Sequence, residues 1–140
     1  MTRSLKWALL ITDWLLLCYW ILSGLAQLGW LPIPRVWLYT DYNQAQVVAW
    51  NWSFLPLDLA FSILGLYAVS AARRGLARWR PLAMLSLSFT MAAGAMAIAY
   101  WTILGDLNPY WYIANLALLV WPLFFMPALI RQLAGTEDAL

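Results

Sequence analysis

With 140 residues, 65% of them hydrophobic and only 10% charged, the chain is far more apolar than a soluble domain, where roughly half of the residues are apolar. Its mean hydropathy of +0.73 agrees, and residues 1–140 read as a single integral membrane domain with no room for a second. A net charge of +2 is too small to point to nucleic acid. The lack of histidine and the lone cysteine, Cys18, exclude an internal disulfide, the usual ligands of haem, zinc, copper and iron–sulfur centres, and the commonest general base. No resident metal or cofactor is expected.

The opening stretch, MTRSLKWALLITDWLLLCYW, has the basic start and apolar run of a secretory signal. The run is too long for one. Ser23, Gly24 and Ala26 lead into Gln27, Leu28 and Trp30 rather than a clean cleavage site, so the stretch reads as a retained first span. Crossing the hydrocarbon takes about 20 residues, and four segments meet that demand, roughly 7–28, 53–71, 82–104 and 110–130. Pro32 and Pro34, then Pro81, then Gly105, Asn108 and Pro109 punctuate the joints. Backbone groups in lipid must be satisfied within their own segment, so the expected fold is all-α, a four-transmembrane-helix bundle.

Arg3 and Lys6 precede the first span, Arg73, Arg74, Arg78 and Arg80 fill the second loop, and Arg131 follows the fourth span. The first loop holds only Arg35 and the third holds neither Lys nor Arg. This bias predicts that both termini and the second loop are cytoplasmic, with loops one and three on the other side. The first outer loop, Leu31 to Trp52, carries Trp37, Tyr39, Tyr42, Trp50 and Trp52, residues that favour the headgroup level. It is expected to lie along the interface and cap the bundle, and a short helix fits NQAQVVAW. Only the tail AGTEDAL has the composition of a disordered segment.

At 100 degrees per residue each span shows one small or polar seam. The seams are Asp13, Trp20, Gly24 and Gln27; Asp58, Ser62 and Gly65; Ser86, Thr90, Ala93 and Ala97, ending at Tyr100; and Trp111, Asn115, Pro122 and Met126. Helix packing accounts for most of the small residues and hydroxyls, because in lipid they let backbones approach and bond across the interface. The carboxylates need more, since each costs about 2.5 to 3.5 kcal/mol to insert.

Asp13 lies about 9 Å inside the first span at 1.5 Å per residue from Trp7. There the stems of Arg73, Arg74 and Arg131 can snorkel towards it, and a structural ion pair with Arg73 and Arg131 is expected ahead of catalysis. Asp58 has only Arg35 within reach on its side of the membrane. Pro56 suits a first helical turn and Ser53 can cap it, which makes Asp58 a capping carboxylate near the positive end of the helix dipole. The same residue equally fits a desolvated acid facing a pocket, and the residues do not separate the two. Gln27, Asn51, Trp52, Tyr100, Trp101, Thr102, Trp111 and Asn115 are expected around it, polar groups among aromatic walls. The same set also fits a hydrogen-bond network rimmed by an aromatic belt. There is no Walker loop, GxSxG, HExxH or dinucleotide fingerprint, and no histidine to activate Ser53 or Ser62.

The string from Asp41, Tyr42 and Asn43 through VAWNWSFLPLDL at Val48 to Leu59 resembles the YvaD-like family of small bacterial four-helix membrane proteins, as do Thr12-Asp13 and WPLFFMP at Trp121 to Pro127. The resemblance covers most of the chain and implies a four-span protein of the bacterial cytoplasmic (inner) membrane. That family has no established activity, so no catalytic residue carries over. A weaker resemblance is to the emopamil-binding and sigma-2 receptor group, four-helix proteins with an acid early in helix two and a lipophilic ligand. By that analogy Asp58 takes the place of the ligand-meeting acid. The chain lacks that group's histidine and its helix-one acid at a matching depth, which speaks against sterol isomerase chemistry.

Three readings result. The first is a protein that holds a lipid or lipophilic small molecule in the outward half of the bundle around Asp58 and Asn115. The second is an accessory subunit of a larger membrane complex or a homo-oligomeric scaffold, suggested by the small-residue run Ala92 to Ala99. The third is an emopamil-binding-like enzyme or a small transporter.

Overall fold

The computed structural model describes residues 1–34, 37–38, 41–105 and 107–137, the last two without their side chains. The described residues are helical wherever they are regular. Helix α1 spans Arg3–Gln27, α2 Ala45–Ser53, α3 Leu55–Arg73, α4 Trp79–Leu104, α5 Pro109–Val120 and α6 Met126–Glu137, with a 3-10 turn at Trp121–Phe124 between the last two. Among the described residues four stretches are long and apolar enough to cross a membrane: Arg3–Gln27, Ala45–Arg73, Trp79–Leu104 and Pro109–Gly135. These match the four expected spans, the first ending at Gln27 rather than Leu28 and most of the other ends reaching further.

Local chemistry sets the boundaries. Thr2 caps α1, its hydroxyl accepting from the Leu5 amide at 3.2 Å. Pro56 has no amide to offer the Trp52 carbonyl, so the helix breaks at Phe54 and resumes as α3. Ser53 is not the cap expected of it; its hydroxyl turns back and donates to the Trp50 carbonyl at 2.6 Å. Pro122 and Pro127 likewise remove amides from the fourth span, which tightens into the 3-10 turn where an unbroken helix was expected. At the α4 end Gly105 takes φ 73, the left-handed conformation that closes a helix with little strain. The tail departs from expectation in part: α6 continues to Glu137, so Ala134 to Glu137 are helical, while 138–140 lie outside the described residues.

Packing runs α1 on α3, α3 on α4 and α4 on α5, with α6 on α4. Two glycines permit the closest approaches. A Cβ at Gly94 would stand 2.7 Å from the backbone of Asn115 and Leu119, so α5 rests directly on α4 there. A Cβ at Gly65 would overlap the Asp13 carboxylate and come within 2.9 Å of Ser86 Oγ. The end of the bundle that carries the arginine loop, the basic end, has a core of Leu5, Leu9, Ala68, Val69, Ala83, Leu87 and Leu129. The opposite, aromatic end has a smaller cluster of Ala26, Leu38, Val47 and Trp101, through which α2 covers the bundle. The first loop thus caps the helices as expected; Arg35 and Tyr39 lie outside the described residues.

Candidate functional site

The antiparallel pair α1 and α3 carries matching seven-residue intervals. Asp13 and Trp20 are seven apart on α1, Asp58 and Gly65 seven apart on α3, and seven residues are two turns, about 10 Å. Asp13 therefore meets Gly65 at one level and Trp20 meets Asp58 at the other. Trp20 Nε1 donates to Asp58 Oδ2 at 2.9 Å, a buried bond. Asp58 stands in the first turn of α3 as expected, but its partner is an indole rather than a cation. Beside it, the Tyr19 hydroxyl donates to Asn51 Oδ1 at 3.2 Å. Trp52 packs behind Trp20 at 5.4 Å between rings.

A cavity of about 450 Å³ opens next to this pair. Thr12, Leu16, Tyr19 and Trp20 of α1 form one wall, and Trp111, Asn115, Leu118 and Trp121 from the fourth span form the facing one. Asp58, Asn51, Trp50, Phe54, Ala93, Ala97 and Trp101 close the back. Leu15 on α1 and Ala114 and Ala117 on α5 also line it while remaining exposed, so the cavity opens sideways between α1 and α5. Ring packing holds its aromatic end: Trp50 stacks on Tyr100 at 3.9 Å and meets Trp101 edge-on at 5.6 Å.

Of the residues expected at the pocket, Asp58, Asn51, Asn115, Trp101 and Trp111 line this cavity. Gln27, Trp52, Tyr100 and Thr102 do not. Gln27 is exposed near the end of α1, and the rings of Trp52 and Tyr100 stand one layer back, bracing Trp20 and Trp50. The Asn115 amide donates to the Trp111 carbonyl at 2.8 Å, one turn back on its own helix. Trp20 is the residue that sequence reasoning missed, although the paired seven-residue intervals on the polar stripes held the signal. Tyr19, Trp50 and Trp121 carried none, because rings at helical spacing in an apolar run look like ordinary lipid-facing residues.

The expected ion pair of Asp13 with Arg73 and Arg131 is absent. Asp13 is fully buried and neither carboxylate oxygen has a hydrogen-bond partner, whereas both arginines are exposed. Arg131 instead donates to the Pro127 carbonyl of its own helix. The reason is rotational: the stripe that carries Asp13 faces Gly65 and Ser86 in the bundle interior, away from the basic rim. Nor is Ser86 a donor to spare, since its hydroxyl is given to the Phe61 carbonyl at 2.9 Å. In the run Ala92 to Ala99, Ala93, Gly94 and Ala97 are buried within the chain, while Ala92, Ala95 and Ala99 are exposed.

No solved structure matches the chain. A model of a family of unknown function (DUF5360) matches residues 5–136. The uncharacterized protein YvaD of Bacillus subtilis (strain 168) is 35% identical over 137 residues, covering 98% of this chain and 99% of that protein. The resemblance drawn from the DYN and VAWNWSFLPLDL segments is thereby borne out, and four apolar spans make the chain a multi-pass membrane protein with a bacterial relative. With nearly its whole length matched, this chain belongs to the family of unknown function DUF5360.

Proposed function

We propose that this protein holds a lipid or other lipophilic small molecule in the lateral cavity around Asp58. The observation that carries the reading is a cavity of about 450 Å³, walled mainly by apolar and aromatic side chains, with Asp58, Asn51 and Asn115 among its few polar lining residues. Small-molecule sites have that size and that mixture of an apolar wall with few polar groups. The sideways opening suits a ligand arriving from the acyl-chain region. Membrane lipids are the natural partners. The Lys and Arg bias argues for an inner-membrane orientation with both termini cytoplasmic and the cavity in the outward half.

Purification in mild detergent followed by native mass spectrometry and lipid extraction tests this. The expected result is a chain that carries lipid, with Ala97→Phe, which fills the back of the cavity, releasing it and Asp58→Asn lowering ligand-induced thermal stabilisation. Unchanged lipid content and stabilisation in both variants would overturn the reading. A stoichiometric partner chain in place of lipid would favour an accessory subunit; of the small-residue run that suggested one, Ala93, Gly94 and Ala97 are used inside the bundle, while Ala92, Ala95 and Ala99 stay exposed. No further observation favours an emopamil-binding-like enzyme or a transporter.

A further inference from the structure

The chain uses its own cations to cover aromatic rings at the basic end, where Lys6 stands over Trp7 at 5.7 Å, Arg78 over Tyr67 at 5.1 Å and Arg80 over Trp79 at 5.4 Å. At the aromatic end a second group of rings is gathered around a carboxylate instead. A cleft of about 520 Å³ lies between the first outer loop and the start of α5, walled by Trp37, Tyr42, Tyr110 and Trp111 together with Asp41 and Asn43. Its lining is open to a ligand: Trp37 is 76% exposed, Tyr42 40% and Tyr110 86%, and Asp41 is half-buried. Among the described residues no ring contact and no overlying cation is seen for these four rings, and no ion pair for Asp41; the ring contacts nearby run among Trp50, Phe54, Tyr100 and Trp101. Local bonds hold the frame. The Gln44 amide donates to the Asp41 carbonyl at 2.9 Å, closing the turn that carries the carboxylate. Asn108 caps α5, its Oδ1 accepting from the Tyr110 amide at 3.1 Å, which sets the first turn that bears Tyr110 and Trp111.

We infer that this cleft takes the quaternary ammonium head of an amphiphile, with its positive charge facing Asp41 and its N-methyl groups lying on the rings. Aromatic faces attract a cation, and a fully methylated ammonium is the form that needs no hydrogen-bond acceptor. A phosphate or carboxylate would find no Lys or Arg in the lining to meet it. A divalent cation takes about six or more oxygen ligands, and the cleft offers one carboxylate and two amides, one of them already engaged by the Tyr110 backbone. Trp and Tyr favour the headgroup level, which makes a membrane amphiphile the source of the cation. The inference goes beyond the binding reading, whose cavity meets this cleft only at Trp111, a residue that lines both.

Choline and its uncharged isostere 3,3-dimethylbutan-1-ol, titrated by calorimetry into the full chain in a non-ionic detergent, separate charge from shape. Choline is expected to bind about tenfold more tightly, and Asp41→Asn to remove that advantage. Tyr110→Leu, at a position too exposed to matter for folding, is expected to weaken choline about three- to tenfold. In nanodiscs of equimolar phosphatidylcholine and phosphatidylglycerol, native mass spectrometry is expected to find phosphatidylcholine enriched on the unaltered chain and not on Asp41→Asn. Equal binding of choline and the isostere, or no effect of Asp41→Asn, would overturn the inference and leave standing the lateral-cavity reading, which Ala97→Phe tests separately. Choline binding without enrichment of phosphatidylcholine would overturn the assignment to a lipid head. Choline binding that appears only in Arg35→Gln would make the chain's own guanidinium the natural occupant and would overturn the inference as well.

Discussion

The basic end and the aromatic end of this bundle solve the same problem in opposite ways. At the basic end, aliphatic side chains from α1, α3, α4 and α6 close on one another, with Leu9 and Leu87 at 0% exposure and Leu129 at 1%. At the aromatic end, Trp20, Trp50, Trp101 and Trp111 stand around a cavity, and α1 and α5 flank it without being a packed pair. Helices in lipid gain little hydrophobic energy by associating, so contact depends on how closely the backbones fit. Gly65 and Gly94 draw α1 and α5 onto the central pair α3 and α4, while the large rings hold the outer helices apart from each other. A bundle tied only through its centre is left with a gap on one side.

The sharpest way to break this comparison is to open space at the dense end. Leu87→Ala is expected to cost about 2 to 5 kcal/mol in thermal or denaturant unfolding, because its neighbours have no slack to collapse into the void. Adding bulk at the cavity through Ala97→Phe is expected to cost less. If filling the cavity destabilises as much as emptying the core, the two ends do not differ in packing. Next in size, Gly94→Ala is expected to cost about 1 to 3 kcal/mol, since its Cβ meets the α5 backbone rather than a movable side chain. Unfolding measurements that showed no loss would mean α5 is less firmly seated on α4. The smallest effect has the opposite sign. Asp13→Asn replaces a buried carboxyl that has no hydrogen-bond partner with a neutral amide, and stability is expected to rise by about 1 kcal/mol. A loss of comparable size would show that the carboxyl itself contributes to holding α1 against Gly65.

Much of this arrangement was legible beforehand, for identifiable reasons. The four spans follow from unbroken apolar length, and the placement of Asp58 in a first helical turn follows from Pro56. The stripes that carry Asp13, Asp58 and Gly65 follow from the period of the helix. The partners of those stripes did not follow. Asp13 was expected to meet arginines because both lie towards the same end of the bundle, yet rotation about the helix axis aims it at Gly65. Gln27 and Tyr100 were grouped with the pocket by their level along the helices, and level says nothing about which ring stands in front.

Composition and spacing alone determined that this chain crosses a membrane four times as helices and which side of each helix is polar, because these are consequences of local backbone and solvent energetics. Only the tertiary structure decided that an indole anchors Asp58, that Asp13 is buried without a counter-charge, and that the fourth span stands off from the first to leave a cavity. Those features depend on how helices rotate and approach one another, and that is set by contacts between residues distant in the chain.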